Sequence, residues 1–278
     1  MPAGTLTIQT MIDRIVADLG GPMESTVDTV KCGDTSQPVR GAVTTFMATV
    51  PVIREATRLG ANVIFTHEPT FFNHKDEVAF LQQDPVFQAK RRLLEETGMV
   101  VYRLHDYPHG LAKADLLAIA RGEVSDDPFG VGLLEAMGWQ AYADRTFPNF
   151  CTIPAVTLAE LVQQCKDRLH VGTVRVAGNR DQLCRSVILL FGSPGIRFHV
   201  TAFDRFHADV IITGECSEWE TFAYTYDAQA LGIKRSFIAV GHQQSEEHGM
   251  ERLTGWLRDR FPDVAVTHVA ATNPVTTY

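Results

Sequence analysis

The chain has 278 residues, 45% of them hydrophobic and 21% charged, with a formal net charge of −8. That balance supports a large core and excludes a disordered chain, and at roughly 150 residues per domain the length predicts two domains. The acidic excess argues against nucleic-acid binding, which needs clustered cations to release counterions, and no apolar run approaches the ~20 residues of a membrane helix. No charged-then-apolar leader precedes Thr5, so a cytoplasmic globular protein is expected. Cys32, Cys151, Cys165, Cys184 and Cys216 are scattered and form no CxxC pair, the pattern of small buried hydrophobes rather than of disulfides or a zinc ribbon. Cys216 stands out only because it adjoins a motif described below.

Ile8, Met11, Ile12, Ile15, Val16 and Leu19 recur at helical spacing, and Gly20-Gly21 ends the run. Short apolar strands then alternate with helical stretches. Thr44–Val50 reads as a strand, Val52–Leu59 as a helix, Asn62–Thr66 as a strand, Pro85–Thr97 as a helix and Met99–Leu104 as a strand. After Gly130–Tyr142 the alternation restarts, with helices over Leu158–Leu169, Ile196–Phe206, Ser217–Leu231 and Glu246–Arg260. The strands between them are Val187–Gly192, Asp209–Thr213 and Ser236–Val240. Such alternation predicts an α/β fold with buried, mostly parallel strands.

The two halves resemble each other. Asn62-Val63-Ile64-Phe65-Thr66-His67-Glu68-Pro69 shares four of eight positions with Asp209-Val210-Ile211-Ile212-Thr213-Gly214-Glu215-Cys216, and the flanking elements match. The strands that follow end alike, in His105-Asp106-Tyr107-Pro108-His109 and in His242-Gln243-Gln244-Ser245-Glu246. A duplication is the reading, with halves at 1–150 and 151–278 expected to form one structural unit. Pro148, Asn149 and Pro154 punctuate the boundary.

Ligands of open α/β sheets bind beyond the carboxyl ends of the strands. His67-Glu68, His105 to His109, Glu215 and His242 to Glu246 all fall there, which groups imidazoles and carboxylates on one edge. That mixture suits zinc, iron, manganese, cobalt or nickel. His242 and Glu246, four apart, share one helix face if the helix starts near Gln243. His74, His170, His199, His207, His248 and His268 lack a partner at ligand spacing and are expected to be structural or surface residues. Gly192-Ser193-Pro194-Gly195 has amides that suit an anion but no phosphate-loop pattern, and reads as a Pro-Gly turn. No Gly-x-Ser-x-Gly elbow is present, so side-chain nucleophilic catalysis has no support.

Phe65-Thr66-His67-Glu68-Pro69, Thr213-Gly214-Glu215 and Gly241-His242-x-x-Ser245-Glu246 resemble the Nif-three-like family of dinuclear-metal-centre hexameric proteins, whose bacterial members are often called homologues of a type-two GTP cyclohydrolase. The resemblance runs from about Thr7 to about Ala270. It implies two divalent ions, held between the halves by an HHP motif, the Asp of H-T-N-L-D, and the His and Glu of the last motif. This chain departs twice: HHP is His67-Glu68-Pro69, and H-T-N-L-D is His105-Asp106-Tyr107-Pro108-His109. Gapless alignment gives His67, Glu68, His109, His242 and Glu246 as ligands. That set keeps the family's three imidazoles and two carboxylates. In the alternative, Asp106 is the ligand and His109 merely nearby, with His105 behind the ligands or as a sixth.

These readings predict a metal-dependent hydrolase with two divalent ions per chain, acting on a phosphorylated small molecule or nucleotide, GTP ring opening being one instance. Glu215 is the candidate general acid or base, with His105 as a second proton carrier. The alternative is a non-catalytic metal-binding, regulatory or interaction protein. The resemblance also implies a homohexamer, for which Phe71, Phe72 and Phe80 are candidate interface residues, a local core being the other reading.

Overall fold

A computed structural model describes residues 5–110 and 127–275. In chain order the first elements are α1 (Ile8–Asp18), β1 (Val30–Cys32), β2 (Ala42–Thr45), α2 (Val50–Arg58), β3 (Val63–Thr66), α3 (Pro85–Thr97) and β4 (Val100–Arg103). There follow α4 (Pro128–Met137), β5 (Phe150–Thr157), α5 (Leu158–Arg168), β6 (Arg175–Ala177), β7 (Leu183–Leu189), α6 (Ile196–Phe206), β8 (Val210–Thr213), α7 (Ala223–Ala230), β9 (Ser236–Ala239), α8 (His242–Arg260) and β10 (Val266–His268). The described residues fall into two compact units, 5–110 with Met250–Thr272 and 127–249 with 273–275.

Local chemistry sets the helix ends. Thr7 caps α1 by accepting from the Thr10 amide, and Asp84 caps α3 ahead of Pro85, whose missing N–H costs nothing at that position. Gly98 then ends α3 in the left-handed conformation. Thr157 and Glu160 form a reciprocal capping box on α5. Strands β2, β3, β4, β8 and β9 are buried along their whole length, which is why they read as continuous apolar runs instead of alternating ones.

Each unit is a mixed α/β layer around one five-stranded sheet. The first sheet has the order β1-β4-β3-β2-β10 and the second β5-β7-β8-β9-β6. In both, three successive strands pair in parallel, and the short strand preceding them in sequence lies antiparallel beside the last of them. The succession helix-strand-strand-helix-strand-helix-strand thus occurs twice, with the same pairing. The fifth strands differ: β10 is parallel to β2, and β5 is antiparallel to β7. Asn62 and Asp209, aligned in the sequence, also do equivalent work. Asn62 Oδ1 accepts from the Arg40 amide at 2.8 Å, and Asp209 Oδ2 accepts from the amides of Arg185 and Ser186 at 2.8 and 2.9 Å.

Three expected boundaries shift. The strand predicted over Thr44–Val50 stops at Thr45, because Pro51 opens α2 in the first turn after Thr49. The helix predicted over Ser217–Leu231 is broken: a wide turn over Glu218–Phe222, with Glu220 at φ −93° and ψ −115°, precedes α7. The last helix starts four residues early, at His242. Phe71 packs edge-on against Phe87 at 5.1 Å as local core, while Phe72 and Phe80 are exposed. The buried cysteines fit the expectation for small hydrophobes, and burial pushes the thiols of Cys151, Cys165 and Cys184 up to about 12. None of the described helices is long and apolar enough to cross a membrane.

Candidate metal centre

In the first unit, β3 runs out into His67-Glu68 and β4 into His105-Asp106 and the turn that carries His109. The three imidazoles meet: His67 stacks on His105 with ring centres 4.5 Å apart, and His109 stands edge-on to both at 4.9 and 4.8 Å. One ring nitrogen from each lies within 4.8 Å of the other two. His67 and His109 are buried and His105 is largely so. Burial, reinforced by the neighbouring His67, pushes the His105 pKa down to about 3, so its ring is neutral, the form that binds a metal.

The partners of the rings fix their tautomers. His67 Nδ1 donates to the Leu104 carbonyl at 3.3 Å, and His105 Nδ1 donates to Asp106 Oδ1 at 2.8 Å. Asp106 is anchored in turn, since its Oδ2 accepts from the Thr26 hydroxyl at 2.7 Å and the Val27 amide at 3.0 Å. Burial works against ionisation of Asp106, but these hydrogen bonds win and hold its carboxyl well below the usual range. Glu68 Oε2 lies 3.3 Å from the guanidinium of Arg103, and Glu68 Oε1 lies 3.8 Å from His105 Nε2. Arg103 itself has no exposed surface and donates to the carbonyls of His67 and His74 as well.

Two groups that sequence reasoning missed frame this site. Asp28 is buried and accepts the consecutive amides of His105, Asp106 and Tyr107 at 2.9 to 3.0 Å. Burial raises its pKa against the pull of those amides. Both its oxygens accept from the loop, and Asp28 thereby shapes the loop that carries His105 and Asp106. Arg103 is the other. A cation at a strand end reads in sequence as a surface residue, and nothing in its neighbours signals its burial.

In the second unit the loop after β8 carries Glu215, and the first turn of α8 carries His242 and Glu246. His242 Nδ1 lies 3.2 Å from Glu215 Oε1, and His242 Nε2 lies 3.2 Å from Glu246 Oε2. The four-residue spacing thus does bring His242 and Glu246 together. The Ser245 hydroxyl donates to the His242 carbonyl and accepts from the Gly192 amide, which ties this turn to the end of β7. Gly192 sits at φ +64°, and a side chain there would place its Cβ 2.5 Å from Glu246 Oε1. The Pro-Gly turn therefore leaves room for this carboxylate.

The donor set fits divalent transition metals: clustered imidazoles, two of them (His67 and His105) with Nδ1 anchored, beside carboxylates. The site's repetition across the halves is visible in the partners. His105 and His242, each following the last of three parallel strands, both present Nδ1 to a carboxylate.

Comparison with known proteins follows the same lines. The family model described as Duf34/NIF3 (NGG1p interacting factor 3) matches residues 28–274. A Clostridium perfringens protein named GTP cyclohydrolase 1 type 2 homolog is 23% identical over 240 residues, covering 82% of each chain. A Staphylococcus aureus hypothetical protein superposes with a TM-score of 0.72 at 17% identity, over 98% of this chain and 99% of that one. A Bacillus cereus protein related to NIF3 does so with a TM-score of 0.71 at 17% identity, over 99% and 100%.

Proposed function

The chain belongs to the DUF34/NIF3 family, and from that premise we propose that it is a hydrolase using two divalent metal ions on a phosphorylated small molecule or nucleotide. The observation that carries this reading is the convergence of His67, His105 and His109, each offering a ring nitrogen within 4.8 Å of the others. The proposed ligands are His67, Glu68 and His109 from the first half and His242 and Glu246 from the second. Bound divalent ions supply Lewis acidity, which polarises a phosphoryl or carbonyl oxygen and makes water acidic enough to act near neutral pH.

The chain's own groups do the rest. Arg103 fixes Glu68 at one edge of the imidazole cluster. Glu215, half exposed, holds His242 through Nδ1 and is placed to take up or deliver a proton at the solvent side. The name of the Clostridium relative makes a guanine nucleotide the first substrate to try. A homohexamer is proposed on the family resemblance, to be checked by light scattering.

The test is metal analysis of the purified protein, joined to a screen of nucleotides and phosphoesters with zinc, manganese, iron, cobalt and nickel. Two equivalents per chain, with turnover that His242→Ala abolishes, is the expected result. Turnover equal in wild type and His242→Ala overturns catalysis at this site. Two equivalents with no turnover anywhere in the screen gives the non-catalytic, regulatory reading instead.

A further inference from the structure

We propose that His105 is a direct metal ligand, so that His67, His105 and His109 form a three-imidazole site for one zinc-class ion carried wholly by the first unit, with Asp106 as the group that positions the His105 ring. The inference rests on the metal-binding reading above. It goes beyond it because the five-residue ligand set leaves His105 out and needs both halves.

The tautomers carry the argument. With Nδ1–H of His67 directed at the Leu104 carbonyl and Nδ1–H of His105 at Asp106, both rings present Nε2 as the lone-pair nitrogen. A carboxylate or backbone carbonyl on the far nitrogen is how metal-binding histidines are normally oriented. In the alternative in which Asp106 binds the ion, Oδ1 would have to give up His105 while Oδ2 stays tied to the Thr26 hydroxyl and the Val27 amide. Asp28 pins the backbone from His105 to Tyr107 by three amides, so the loop is held in the form that presents His105. Three nitrogen donors around zinc sit about 3.3 Å apart for tetrahedral geometry. The spread of up to 4.8 Å seen here closes by side-chain rotations on the order of 1 Å. Imidazole-only ligation favours zinc, cobalt or nickel over magnesium or calcium, and leaves a fourth position open.

The experiment uses the full chain with His242→Ala and Glu246→Ala together, which removes the second unit's donors. Titrated with Zn²⁺, and separately with Co²⁺ read by visible absorption, this protein is expected to bind one ion per chain, and zinc X-ray absorption is expected to count three imidazoles. Adding His105→Ala should weaken binding at least 100-fold, and adding Asp106→Asn should weaken it 10- to 100-fold. Metal-free melting temperatures verify that each variant folds. Two imidazoles in the absorption spectrum, no ion bound by the folded double variant, or His105→Ala binding as tightly as its parent would each overturn the proposal. So would Asp106→Asn losing the ion while His105→Ala keeps it. Failure of the hydrolase reading shows up separately, as absence of turnover in a wild type that still binds zinc through His105.

Discussion

Arg103 is wholly buried, and every donor bond it makes goes to the segment from His67 to His74 that leads out of β3. A buried guanidinium is costly unless it is fully paired, and removing one member of such a set strands the others. Arg103→Leu is therefore expected to cost about 3–5 kcal/mol in urea unfolding. Glu68→Gln in the same chain should restore part of the loss, because the carboxylate left behind is then neutral. A double-mutant cycle with no coupling between the two positions would refute the pairing.

His199 makes a second argument at this scale. It has no exposed surface, contacts the hydroxyls of Thr221 at 2.7 Å and Thr213 at 3.4 Å, and meets Phe237 edge-on. Burial pushes its pKa down to about 3. The native state then binds fewer protons than the unfolded state between pH 3 and about 6.5. Its contribution is fully present above the unfolded value and is lost as pH falls toward 3. In metal-free protein the stability advantage of wild type over His199→Gln should shrink with acidification, by at most about 1.4 kcal/mol per pH unit. A difference independent of pH from 7 to 4 would show that His199 is not held neutral.

Among the elements, the repeat makes its own prediction. Asn62 and Asp209 directly precede equivalent strands and fasten amides of the neighbouring chain, Arg40 just ahead of β2 and Arg185 and Ser186 within β7. Asn62→Ala and Asp209→Ala should each destabilise by about 1–3 kcal/mol, the cost of leaving amides without their acceptors, with the charged Asp209 at the upper end. Chemical denaturation of both variants tests this, and a neutral result at either position would break the equivalence. The central strands β3, β4, β8 and β9 were legible in the sequence because burial on both faces writes them as apolar runs. The edge strands β1, β6 and β10 were not. Val30-Lys31-Cys32, Arg175-Val176-Ala177 and Val266-Thr267-His268 are short, partly exposed and mixed in polarity, as edges that avoid further pairing must be. The same distinction runs through the site. His67, His105, His109, His242 and Glu246 could be nominated as candidates because strand ends are where ligands of such sheets bind. Asp28 could not, because it acts on a loop 77 residues away and its own neighbours carry no sign of it.

At the scale of the whole molecule, the chain is acidic, with a formal charge of −8, and each half gathers acids beside histidines at the same place in its repeat. Divalent ions held at the proposed site would offset part of that charge and favour the folded state, since unfolding scatters the ligands. Binding must then raise stability with ion concentration, by about 2.7 kcal/mol at 100 times the dissociation constant for a single site. Zinc is expected to raise the melting temperature in a saturable way, chelation to reverse it, and sodium chloride of equal ionic strength to have no such effect. Calorimetry at a series of zinc concentrations reads all of this at once. A melting temperature that zinc leaves unchanged at pH 7.5, in protein first stripped by chelator, would mean that the clustered histidines are a packing feature and not a metal centre.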